Sequence, residues 1–183
     1  LGLAGGPLVV AILLSRIAMS ALLADVGRYH AAGAFPGSGR LVPQLGADQE
    51  REVPAATAML LTALGRVNEP SVMRTVMAYE ACAVGRREMV GLPYDGARSP
   101  TLQAYLIAVA RAYVDAVSAS LGSPSRTADE AFARLTERWP DGVGRTALRL
   151  LTGALGFFPA GTLVELSTGE IAAVVATAAD PAR

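Results

Sequence analysis

The stretch Ala21-Leu22-Leu23-Ala24-Asp25-Val26-Gly27-Arg28 runs an apolar helical segment into one acid, a glycine and a base. A carboxylate at the end of a long apolar run is costly to bury unless a cation or hydrogen-bond donors compensate it. The question of which cation orders the reading of the rest of the chain. Upstream, residues 3–23 are almost continuously apolar and approach the length of a membrane span. Arg16 interrupts the run, Ser15 and Ser20 flank it, and Gly5-Gly6-Pro7 break its start. No basic leader or cleavage site precedes it, so a signal peptide is not expected. The run is expected to be a buried core helix over 7–30 rather than a membrane segment, with Pro7 in the first turn, where its missing N–H costs nothing.

Downstream, residues 35–46 carry Pro36, Gly37, Gly39, Pro43 and Gly46 and predict a loop. A helix over 47–64 follows, with Asp48, Glu50 and Glu52 in its first turns, where the helix dipole favours negative charge. Val53, Ala56, Met59, Leu60 and Leu64 give it an apolar face. A further helix spans 69–84, and 85–98 is predicted to be irregular and basic. Ser99 and Pro100 are expected to cap and open a helix reaching about 121, apolar on most sides and therefore central. Thr127-Ala128-Asp129-Glu130 is a capping box for a short helix that stops before Pro140, and another helix spans 141–155. Beyond it the apolar period changes to alternation around Leu163–Ser167, and Thr168-Gly169 separates this from Ile171, Val174 and Val175, a β-hairpin pattern. The fold class expected is all-α: one domain over 1–183, helical over 1–157, with a small hairpin over 158–178.

The 183 residues are 52% hydrophobic and 17% charged, a globular composition. All sixteen basic residues are arginine and sixteen acids balance them. A GC-rich coding sequence accounts for the missing lysine, and without a basic surplus no nucleic-acid partner is expected. The lone Cys82 excludes an internal disulfide framework and a cysteine zinc site, which fits a reducing, cytoplasmic setting. Cys82 is expected to act as a small buried hydrophobe. Trp139, Phe157 and Phe158 are expected to pack the hairpin onto the helices. With His30 as the single histidine, Asp95 and Ser99 cannot join a Ser-His-Asp arrangement. The chain starts at Leu1 rather than Met, as expected of a piece of a longer protein.

Several segments together resemble the HD-GYP branch of the HD-domain superfamily, metal-dependent phosphodiesterases that cleave cyclic di-GMP. Residues 21–28 resemble the helix end that in the family reads A-L-L-H-D-[VI]-G-K. Met77-Ala78-Tyr79-Glu80-Ala81-Cys82 resembles the segment with paired histidines, and Gly91-Leu92-Pro93 sits where the family has Gly-Tyr-Pro. Residues 106–113 resemble the following helix, which carries an Asp. Residues 158–166 with Gly169-Glu170 are similar to the terminal hairpin, the most specific of these matches.

The resemblance places the family's metal ligands at Ala24, Asp25, Val53, Ala81, Cys82 and Arg111, and of these only Asp25 keeps the family's residue. The family's ions are held by imidazoles and carboxylates and activate a water as nucleophile. With those imidazoles gone, no metal, no cofactor and no phosphodiester hydrolysis are expected. Arg111 would then supply the cation for Asp25, an ion pair in place of the metal cluster. Arg28, Arg86, Arg87 and Arg98 are candidates for an anion site. The function implied is a catalytically inactive HD-GYP-like domain, a regulatory or protein-interaction module of bacterial signalling, acting as part of a longer protein or as a homodimer. The alternative is a cyclic di-GMP receptor that binds without cleaving.

Overall fold

The computed structural model describes residues 6–33, 45–64, 68–91, 93–96, 98–118, 124–140 and 142–176. Most of the expected 35–46 loop, the helix end at Gly65, Leu92, the end of the helix expected to reach 121 and Asp141 lie outside them. The described residues are predominantly helical, with one two-stranded antiparallel hairpin: an all-α fold with a small β element. Contacts gather the chain into two compact units, Leu1–Ala108 and Val109–Arg183.

The first unit holds α1 (Gly6–Leu23), α2 (Val26–Ala31), α3 (Ala47–Ala63), α4 (Glu69–Gly85), the short α5 (Arg87–Val90), a 3-10 turn (Pro93–Gly96) and the start of α6 (Leu102–Val117). Asn68 caps α4: its side chain accepts from the Ser71 N–H at 2.9 Å, and the Ser71 hydroxyl accepts from the Asn68 N–H at 3.1 Å. From Met77 to Val84 every residue of α4 except Tyr79 is buried, so α4 is the helix around which this unit packs. Met77 and Ala81 meet Ala104 and Ile107 of α6, and Ile17 of α1 packs against them. Ala24, Val53 and Cys82 form a second buried cluster with Ala31 and Leu45 against it.

Several expectations are corrected here. The helix foreseen over 7–30 is two helices, broken at Ala24–Asp25. The Arg28 N–H bonds to the Asp25 carbonyl at 2.9 Å instead of continuing the i−4 ladder to Ala24. The Ala24 carbonyl instead accepts from two other helices. Nor is α1 a buried core helix. Ser20 is fully buried, but Val10, Leu14 and Leu22 are 55, 60 and 76% exposed. Apolar residues on all sides favour burial on all sides, yet within this unit α1 has α4 as its main neighbour, which covers a single stripe. The stretch Val10–Ala31, which runs across this break, is long and apolar enough to cross a membrane by length and composition. Within 85–98, expected to be irregular, two short helical turns form. Thr101, not Ser99, caps α6: its hydroxyl accepts from the Ala104 N–H at 3.3 Å.

The second unit holds the rest of α6, α7 (Ala128–Arg138), α8 (Gly142–Leu155), β1 (Leu163–Glu165) and β2 (Ile171–Ala173). Its core is aromatic: the Phe132 ring lies 4.9 Å from that of Tyr113 and meets Phe157 edge-on at 6.1 Å. Trp139 is buried against α8, and no contact with the hairpin is seen among the described residues. A Cβ on Gly144 would collide with its indole, so α8 can approach only because residue 144 has no side chain. Phe157 and Phe158, by contrast, are 64 and 48% exposed. The hairpin pairs Leu163 with Ala173 and Glu165 with Ile171. Gly169 makes its turn at φ 84°, a conformation that glycine adopts without a Cβ penalty.

Candidate functional site

At the α1–α2 break three of the six expected ligand positions come together in the first unit. Ala24, Val53 and Cys82, contributed by three separate segments, are 1, 0 and 2% exposed and touch one another. The Cys82 thiol donates to the Ala24 carbonyl at 2.9 Å, and the Thr57 hydroxyl donates to the same oxygen at 3.3 Å. A buried carbonyl released from a helix ladder must find donors elsewhere, and here α3 and α4 each provide one. Gly27 makes the approach possible. A Cβ there would lie 2.5 Å from the Val53 carbonyl and the Thr57 N–H and collide with the Thr57 hydroxyl.

Beside this cluster, Glu50 joins three helix ends. Its carboxylate accepts from Arg28 of α2 at 2.8 Å and from Arg86, just past α4, at 2.7 Å. Arg86 also reaches the Cys82 carbonyl at 3.4 Å. The three side chains are only 10–24% exposed, so these charge-assisted bonds are shielded from solvent more than a surface pair would be.

A second carboxylate, Glu80, is fully buried on α4. It accepts from the Tyr94 hydroxyl at 2.9 Å and from the N–H and hydroxyl of Thr101 at 2.9 and 2.7 Å. Tyr94 sits at φ 69°, a strained backbone for a residue with a Cβ, held by the bond to Glu80. Burial pushes the Tyr94 hydroxyl up to about 12, and Glu80's hydrogen bond and charge act in the same direction.

Comparison with protein-family models, curated proteins and solved structures finds no match to this chain.

Of the positions expected to carry degenerate ligands, Ala24, Val53 and Cys82 come together as one cluster, while Ala81 belongs to the neighbouring cluster of Met77, Ala104 and Ile107. Asp25 is half-buried at the N-cap position of α2, and its carboxylate makes no capping bond. Arg111 belongs to the second unit, with its guanidinium 3.7 Å from Asp115 one turn along α6. The expected Asp25–Arg111 pair would join residues of different units. Of the anion-site candidates, Arg28 and Arg86 meet on Glu50. Arg87 is exposed at the start of α5, and the Arg98 guanidinium lies 5.8 Å over the Tyr94 ring. Among the described residues no three His, Cys, Asp or Glu side chains gather as metal ligands. Ala24, Val53 and Ala81 offer no donor atom at all, so these residues do not fit a divalent-ion cluster.

Glu50 and the Glu80–Tyr94–Thr101 set were not foreseen as site residues. Arg28 and Arg86 at helix ends near an acidic first turn were a signal for the former. Choosing Glu50 over Asp48 or Glu52, however, requires the packing of α2 on α3. Tyr94 and Thr101 gave no signal in the sequence.

Proposed function

We propose that this chain is a catalytically inactive HD-GYP-like module that works by interaction in bacterial, cytoplasmic signalling. The observation that supports the reading most is the Ala24–Val53–Cys82 cluster. At the positions where the resemblance would put metal ligands, aliphatic carbon and a thiol pack against one another. The Asp25–Arg111 ion pair is the proposed substitute for the lost metal charge. The outward apolar residues of α1 are the proposed surface for a protein partner or a second copy.

Elemental analysis of protein purified without chelators tests the inactive reading, and stoichiometric iron or manganese would overturn it. A cyclic di-GMP receptor is the second reading. The observation favouring it is that two guanidiniums share the single carboxylate of Glu50, leaving one positive charge over. Titration calorimetry with cyclic di-GMP separates the two. Saturable heat that disappears in Arg28→Gln supports the receptor, and no heat supports the interaction module.

A further inference from the structure

A cavity of about 540 Å³ opens in the second unit between α7, α8 and the end of the hairpin. This is within the range of small-molecule sites. Phe132, Leu148, Phe157 and Phe158 form its apolar walls. Arg145 and Arg149, one helical turn apart on α8, are its charged groups, and no acidic side chain lines it. Among the described residues neither guanidinium has an ion-pair partner within 4.0 Å. Two like charges at i and i+4 disfavour each other, and an anion between them would relieve that repulsion.

Gly153 adds an independent observation. It lines the same cavity from the interior of α8, and a Cβ built on it meets nothing within 4 Å. Neither close packing nor a left-handed backbone therefore calls for glycine here, although glycine weakens a helix interior. Its missing side chain leaves open space at the cavity wall.

We propose that this cavity binds a small amphipathic anion: a single carboxylate on an apolar body. The carboxylate is held by Arg145 and Arg149, and the body lies against Phe132, Leu148 and Phe157. The inference concerns a different unit from the reading above and does not depend on it.

Decanoate, kept below its micelle concentration, is the probe, titrated calorimetrically into the full chain. The expected result is saturable one-to-one binding, weakened at least tenfold in Arg145→Gln/Arg149→Gln and in Gly153→Leu. Both variants should keep the wild-type circular dichroism spectrum. Two variants acting from opposite ends of the ligand keep the test decisive if one of them misfolds. Inorganic phosphate should not compete, because it lacks the apolar body. Absence of saturable decanoate binding, equal binding of decyltrimethylammonium, or wild-type affinity in both variants would overturn the proposal.

Discussion

The α1–α2 junction of the first unit and the cavity of the second both combine arginines with apolar walls, but they treat their polar groups differently. At the junction both arginines and the freed carbonyl find partners within the protein, although the two guanidiniums share one carboxylate. Glu50 takes Arg28 and Arg86, and the Ala24 carbonyl takes Cys82 and Thr57. Deeper on α4, Glu80 takes Tyr94 and Thr101. In the cavity Arg145 and Arg149 face apolar walls with no acid in the lining. Internally matched charges hold helices in register and leave little for a ligand to gain. Unmatched charges beside open apolar surface leave both electrostatic and hydrophobic free energy to be gained from outside. The first region therefore serves chiefly to join helices, and the second is the one proposed to take a ligand.

Breaking the matched region should unfold the protein or destabilise it strongly. Gly27→Ala has the largest expected effect. The new methyl meets backbone atoms of Val53 and Thr57 that cannot rotate away. Overpacking of this kind costs about 3 kcal/mol or more, so urea denaturation should show a much lower midpoint or no folded baseline. Next comes Glu50→Gln, which leaves two shielded guanidiniums without their carboxylate. A loss of about 2 kcal/mol is expected, in the range for hydrogen bonds to charged groups. Adding Arg28→Gln to it should cost much less than the sum of the two single changes, because they share one interaction. Strict additivity would show that Arg28 and Glu50 are not coupled in stability.

The all-α class, the hairpin and the span of α3, α4 and α7 were legible because periodicity, caps and Gly-Pro punctuation act locally. That residues 24, 53 and 82 pack into one buried cluster is a finding of the fold, since apolar side chains and a thiol cluster by burial alone. The break at Ala24–Asp25 was not legible. Nothing in Ala-Asp stops a helix, and the cause is two donors arriving from residues 57 and 82. The exposure of α1 was missed for a related reason, because hydropathy reports the drive for burial and not the supply of neighbours. The cavity was invisible too: Arg145, Arg149 and Gly153 read as ordinary residues of an amphipathic helix until the aromatic walls close around them.

Tyr94→Phe tests the matching at Glu80 with a smaller effect and a pH signature. The tyrosine keeps its proton in the folded protein up to about 12, against an ordinary value of 10.0. A group whose folded pKa is raised contributes stability that is complete below the unfolded value and is lost as pH climbs to the folded one. Wild type should therefore lose this contribution between pH 10.0 and about 12. Tyr94→Phe should be weaker by about 1 kcal/mol at neutral pH, discounted because the ring is partly exposed, and should show a shallower decline over that window. Ultraviolet titration should also lose its latest-ionising tyrosine. An unchanged titration curve in the variant would show that Tyr94 is not the late-ionising tyrosine.

The smallest expected effect is opposite in sign and probes the unmatched region. Gly153→Ala adds a methyl that touches nothing within 4 Å, and it replaces a helix-interior glycine with the residue that most favours helix. The gain expected is about 0.5–1 kcal/mol, visible as a raised denaturation midpoint. If α8 were under selection for stability alone, this change would be an improvement without a cost. The cavity reading adds the second half of the outcome: the stabilised variant should bind decanoate more weakly than wild type, because the methyl stands in the space the ligand would occupy. A protein that gains stability and keeps full decanoate affinity would sever the link between Gly153 and the cavity. Loss of stability would instead mean that α8 packs more closely at residue 153 than the open space around it implies.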